Sequence, residues 1–111
     1  MQLETYLQSI ADNSDSYFQA HLAREDLQRV ARLKARAEET PDLENLQKEA
    51  LYLEWTPGDL RTGELKEQLV PLIAAMHAVT AAPDEAEADA ALLDAWKQFQ
   101  EARIAVLIHC L

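Results

Sequence analysis

Apolar residues in the second half of the chain recur at alternating steps of four and three. They are Leu65, Leu69, Leu72, Met76 and Val79. Because an α-helix completes a turn about every 3.6 residues, this spacing puts all five on one side of a helix. A β-strand would need apolar residues at every second position instead. The pattern is the one by which the helices of a bundle pack together, so it predicts a fold that buries helical seams.

Similar stripes occupy the rest of the chain, and helix-favouring Leu, Ala, Glu and Gln dominate it, with only two Gly and four Pro. We therefore expect one all-α domain over residues 1–111, an antiparallel bundle of four or five helices. The number depends on whether residues 2–39 form one helix or two, and the polar run at 12–16 favours a break. The predicted helices span residues 3–12, 16–39, 41–54, 62–80 and 83–109.

Three positions have the signature of a helix start. Ser16 followed by Gln19 three residues later is a capping-box pattern. Thr40 precedes Pro41, a residue suited to the first helical position, and Thr62 precedes the seam described above. Threonine and serine hydroxyls accept hydrogen bonds from the free N–H groups of a first helical turn. We therefore predict N-caps at Ser16, Thr40 and Thr62.

The charge is strongly acidic and unevenly placed. The formal net charge is −10. Residues 1–36 hold five acidic and five basic side chains, whereas residues 37–111 hold 15 acidic and five basic ones. A surface of this sign repels phosphate backbones, so we expect no general nucleic-acid binding. It suits a basic protein partner, for which the predicted binding face is the acidic run Asp84, Glu85, Glu87 and Asp89.

A basic stripe stands out against this background. Arg29, Arg32 and Arg36 share one face of the second predicted helix. One interpretation is a small patch for nucleic acid or another anion. The other, favoured by the excess of acidic residues, is an ion-pair surface, within or between subunits, that faces the acidic half of the chain.

The sequence contains few features that indicate a cellular compartment or a cofactor. One cysteine, Cys110, cannot form an internal disulfide, and we find no signal peptide and no apolar run long enough to cross a membrane. These features suit a cytoplasmic protein without membrane association. His21 and Glu25 lie one helical turn apart, but no third ligand has useful spacing. We therefore expect no metal and no cofactor.

Arg103 and His109 give the one pattern that suggests catalysis. Their R-x5-H spacing resembles the R-x4–6-H motif of HEPN-type helical RNases, small bundles that often dimerise. The resemblance covers two residues, and Ile104 stands where the family usually has a polar residue. It implies that Arg103 and His109 act together on an RNA phosphodiester. The structural alternative is an arginine with its head in solvent and a histidine near the helix C-terminus.

The C-terminal run from Ile104 to Ile108 is apolar around the whole helix. Such a helix is buried on all sides. A small domain can achieve this with a second copy of itself, which predicts a homodimer whose interface contains Ile104, Leu107 and Ile108. The alternative is a central position for the last helix in a five-helix bundle.

Together these features favour a small acidic protein–protein interaction module of the inhibitor, immunity-protein or assembly-subunit type, expected to be homodimeric and without catalytic residues. The alternative is a HEPN-like RNase, which needs Arg103 and His109 exposed together in a cleft.

Overall fold

The computed structural model describes residues 2–39, 42–53, 55, 63–81 and 86–110, with the side chains at 64, 81 and 106–110 excepted. Within this part of the chain it contains five helices and no strand. The helices are α1 (Leu3–Asn13), α2 (Tyr17–Glu39), α3 (Leu43–Leu51), α4 (Gly63–Ala81) and α5 (Ala86–Cys110). The expected all-α bundle is confirmed, in its five-helix form.

The first two helices are separate, as the polar run between them predicts. α1 ends at Asn13 and α2 begins at Tyr17. The Ser16 hydroxyl accepts a hydrogen bond from the backbone N–H of Gln19 at 3.2 Å, which confirms the predicted cap. The backbone N–H of Ser16 in turn donates to the Ser14 hydroxyl at 3.2 Å. The serines thus provide hydrogen bonds that the interrupted helix cannot supply.

The third helix starts later than the sequence pattern indicates. Its N-cap is Asp42, whose carboxylate accepts from the backbone N–H of Glu44 at 3.0 Å and from the Asn45 amide at 2.9 Å. The predicted cap of this helix at Thr40 is therefore wrong. A carboxylate both accepts the hydrogen bond and complements the positive end of the helix dipole, which explains why Asp42 takes this position. The predicted cap at Thr62 lies outside the described residues.

The predicted seam of α4 is the centre of the core. All five of its residues are buried, from Leu65 to Val79. α4 packs most extensively on α5, α1 packs on α2, and α3 lies across α4 and α2. The buried side chains that join them include those of Leu3, Leu7, Val30, Leu33, Leu46, Leu92, Trp96 and Phe99.

The buried face of α2 includes Leu33, whereas Ala31 is exposed. Asp26 is also buried, although the sequence analysis gave it no role. A charged residue among small apolar ones therefore lies on the inner side of this helix.

In the described part of the chain, no helix combines the length and the apolar character that crossing a membrane requires.

Candidate functional site

A fully buried ion pair links the middle of α2 to the C-terminal half of α5. Arg103 is 0% exposed and Asp26 is 1% exposed. The two side chains meet in a bidentate arrangement, with Nη1 of Arg103 at 3.1 Å from Oδ1 of Asp26 and Nη2 at 2.6 Å from Oδ2. The parallel geometry of two charge-assisted hydrogen bonds fixes the relative position of the two helices.

The other hydrogen bonds of Arg103 reach beyond this pair. Nη1 also donates to the backbone carbonyl of Trp55 at 2.9 Å, and Nη2 donates to Oε1 of Gln100. Nε is buried and has no hydrogen-bond partner in the described part of the chain. One guanidinium therefore links α2 and α5 to Trp55, which lies four residues beyond the end of α3.

Three aromatic rings form a cluster beside this guanidinium, and two of them, those of Trp96 and Phe99, lie close to it. The ring centroids of Trp55 and Phe99 are 5.2 Å apart, those of Trp96 and Phe99 are 5.7 Å apart, and those of Trp55 and Trp96 are 6.3 Å apart. The guanidinium carbon of Arg103 lies 5.6 Å from the Trp96 centroid and 5.4 Å from that of Phe99. These distances allow cation–π attraction, which is stronger where water is excluded.

A second arginine approaches Asp26 from the surface side. Nη1 of Arg29 lies 2.7 Å from Oδ1 of Asp26, and its Nη2 lies 3.3 Å from Glu25. Its guanidinium also lies 5.6 Å from the Trp55 ring. Asp26 thus accepts from two arginines, and its charge is neutralised without contact with bulk water.

This geometry bears on the RNase alternative. Arg103 is enclosed, and both of its terminal nitrogens are bonded to groups within the chain. The side chain of His109 lies outside the described residues. A catalytic arginine of a HEPN-type RNase would have to reach a phosphate in a cleft. The enclosed position of Arg103 does not favour that role. The other expectation for Arg103, a head in solvent, is wrong.

The basic stripe forms ion pairs inside the chain. Besides Arg29, Arg36 bonds to Glu49 of α3 through Nε at 2.9 Å and to Glu39 at 3.2 Å. The hydrogen bond from Arg36 lowers the pKa of Glu49, and the same bond, together with that to Glu39, raises the pKa of Arg36. Arg32 is exposed and lines a groove of about 630 Å³. These contacts support the ion-pair interpretation.

The predicted acidic face is only partly described. Glu87 is exposed and Asp89 is half-buried, while Asp84 and Glu85 lie outside the described residues. The exposed side of α5 continues the acidic character at Asp94 and Glu101.

The predicted dimer residues are also partly described. Ile104 is half-buried in a crevice that it shares with Tyr6 and Ile10 of α1, so its own chain covers part of it. The side chains of Leu107 and Ile108 lie outside the described residues. His21 and Glu25 form a pair at 3.0 Å, and no group of metal-ligating side chains occurs where the structure describes them.

The sequence patterns did not indicate that Asp26, Trp55, Trp96 and Gln100 would surround a buried charge. One signal for Asp26 was present: it lies three residues after Ala23 and four before Val30, both of them buried. An acidic residue at that spacing indicates a buried charge that requires a partner.

Comparisons with protein-family profiles, curated protein sequences and solved structures found no match for this chain.

Proposed function

We propose that this chain is a small acidic protein–protein interaction module that works as a homodimer and binds a basic protein partner through the exposed side of α5. The proposal rests on a difference between the basic and the acidic side chains in how they are paired. Most cations of the described residues bind groups within the chain, whereas a row of carboxylates on α5 stays in solvent.

The cations are engaged in several ways. Arg29, Arg36 and Arg103 form the ion pairs given above. Lys34 pairs with Glu4, and Lys48 lies 3.8 Å from Glu44. Arg24 donates to the backbone carbonyl of Ala11 at 3.3 Å. Little positive charge is therefore left to neutralise other carboxylates.

The row consists of Glu87, Asp94 and Glu101, which we call the acidic row. All three are exposed and seven residues apart, so they lie along one side of α5 at intervals of about 10 Å. Lys97 is near them in sequence, but its ammonium lies 5.4 Å from the Tyr6 ring centroid. No cation in the described chain forms an ion pair with the row, which suits a partner with a matching row of lysine or arginine.

A binding experiment with a defined probe tests this proposal. The probe is a synthetic helical peptide with lysine at every seventh position, and the test variant combines Glu87→Gln with Asp94→Asn. We expect its affinity at low salt to fall about fivefold, because exposed ion pairs contribute roughly 0.2–1 kcal/mol each. Added salt should weaken binding to the parent protein.

The matched control removes the same net charge elsewhere. Asp15→Asn with Glu38→Gln changes two exposed carboxylates on other parts of the surface. We expect this variant to bind the peptide nearly as well as the parent. Equal loss in both variants would show that only the overall charge matters and would contradict the proposed face.

A further inference from the structure

A groove with a volume of about 210 Å³ lies between α3 and α4. On the α3 side its lining consists of Glu44, Gln47, Lys48 and Leu51. These residues follow one another in steps of three, one and three, which is the spacing of residues on one face of a helix. The groove therefore follows one face of α3 for about two helical turns, a length of roughly 10 Å.

The α4 side of the groove repeats the same spacing. Its lining consists of Lys66, Leu69, Val70 and Ile73. Because each set covers two turns of its helix, the groove runs between two helix faces that lie side by side. A third helix packs into such a groove when its apolar side chains enter the space between the first two helices.

The groove has an apolar base and exposed apolar side chains on both of its sides. Leu69 and Ile73 are buried, whereas Leu51 of α3 is 41% exposed and Val70 of α4 is 50% exposed. Single exposed apolar residues are common on protein surfaces. Here one from each helix lines the same groove, which suits an apolar side chain of a partner that packs between them.

The charged groups of the lining indicate which sign of partner fits. Lys66 is exposed and forms no ion pair in the part of the chain that the structure describes. Lys48 lies 3.8 Å from Glu44, so these two charges balance each other. Glu67 is exposed beside Lys66 but does not line the groove. The lining thus has one unbalanced positive charge in a chain of net charge −10, and this charge favours a carboxylate.

We propose that this groove binds an acidic amphipathic helix of a partner protein. Apolar side chains of that helix pack between Leu51 and Val70, and one of its carboxylates pairs with Lys66. An extended segment fits less well, because the described residues contain no strand to which it could add. The proposal does not depend on the acidic row, since no residue of α5 lines the groove.

Nuclear magnetic resonance of the methyl-labelled protein tests the groove with a defined probe. The probe is a synthetic helical peptide with leucine at alternating steps of three and four residues and glutamate beside each leucine. The titration is made at about 0.15 M salt, where long-range repulsion between two acidic molecules is largely screened. We expect saturable shifts of the methyl signals of Leu51 and Val70.

A second peptide, with glutamine in place of glutamate, isolates the role of Lys66. We expect Lys66→Gln to weaken binding of the glutamate peptide about 1.5- to 5-fold, the effect of one exposed ion pair, and to leave binding of the glutamine peptide unchanged. Arg32→Gln is the matched control, because it removes the same charge from an exposed site outside the groove. It should bind both peptides as the parent does, and so should Glu87→Gln with Asp94→Asn.

A substitution at the apolar side of the groove tests the other half of the contact. Val70→Ser should weaken both peptides about 3- to 10-fold, because less apolar surface is buried in the complex. Phe18→Ser, at an apolar residue of α2 that is 45% exposed, should weaken neither. Fluorescence anisotropy of labelled peptide measures these affinities, and circular dichroism shows that each variant is folded.

The absence of saturable Leu51 and Val70 shifts at millimolar peptide would overturn the proposal. Equal effects of Lys66→Gln on the two peptides would overturn the recognition of a carboxylate. Shifts of the same methyl signals that depend on protein concentration without peptide would assign the groove to a second copy of the chain and would also overturn it.

Discussion

At the scale of single residues, Asp26 and Arg103 show how a charge is tolerated in a small core. Moving a charged group out of water costs several kcal/mol of desolvation free energy. The attraction between two such groups offsets this cost only where their geometry is good and further hydrogen bonds are made. Here both conditions are met, because the contact is bidentate and the guanidinium also bonds Trp55 and Gln100. The pair therefore specifies how α2 and α5 meet, and its net contribution to stability is small.

Removing one partner of this pair should be much more harmful than removing both. We expect Arg103→Met to lower the free energy of unfolding by about 3 kcal/mol, near the lower end of the range for broken buried pairs, because Arg29 still contacts Asp26. The double variant Asp26→Leu with Arg103→Met should recover most of this loss. Urea denaturation of the three proteins measures the difference.

Arg36→Met is the surface control, since Arg36 and Glu49 are both partly exposed and their pair should matter little. A double variant no more stable than Arg103→Met alone would show that the core needs this ion pair for more than charge balance.

Sequence patterns could not reveal this pair. Its members lie 77 residues apart, and each belongs to a helix whose own periodicity is explained by apolar residues. Arg103 instead drew attention through its spacing from His109, a local pattern. Its true partner depends on how α2 packs against α5, which the spacing within either helix does not specify.

At the scale of elements, α3 is the helix most dependent on its ends. It has nine residues, fewer than the roughly 12–15 below which isolated helices are marginal. Asp42 caps its start, the Trp55 indole bonds to Ala50 near its end, and Glu49 ties it to Arg36 of α2. Each contact compensates for the few hydrogen bonds that so short a helix makes internally.

The cap is the simplest of these contacts to test. We expect Asp42→Ala to destabilise the protein by about 0.5–2 kcal/mol, because two hydrogen bonds to its carboxylate are lost. Thr40→Ala should have a much smaller effect. Thermal or urea denaturation compares the two, and a larger loss for Thr40→Ala would restore the cap predicted from the sequence.

The helices themselves were largely predictable. The seam of α4 and the break after α1 follow from apolar spacing and from serine caps, both of which are local. The start of α3 was not, because Thr40-Pro41-Asp42 contains two residues suited to capping and the sequence does not show which of them the fold uses.

At the scale of the whole molecule, the proposed homodimer would leave the start of the acidic row open. The predicted contact uses the last turns of α5, whereas Glu87 lies near its start. α1 partly covers Ile104, so the contact depends chiefly on Leu107 and Ile108. Burying a large apolar side chain contributes roughly 1.5–3 kcal/mol, and a two-fold axis doubles each contribution.

We therefore expect the parent protein to sediment as a dimer at tens of micromolar and Ile108→Glu to sediment as a folded monomer, since a dimer interface would bury the new charge. Val70→Glu, at an apolar residue of α4 that is 50% exposed, should remain dimeric. A monomeric parent would contradict the dimer and favour burial of the last helix within its own bundle.

Both tryptophans of the chain belong to the one aromatic cluster around Arg103. The rings are held at fixed angles, 53° between Trp55 and Trp96 and 73° between Trp55 and Phe99. Near-ultraviolet circular dichroism and indole fluorescence therefore both report on this cluster, in which α5 meets Trp55. A partner bound along the acidic row, on the exposed side of α5, can leave these optical signals unchanged while the protein has changed state.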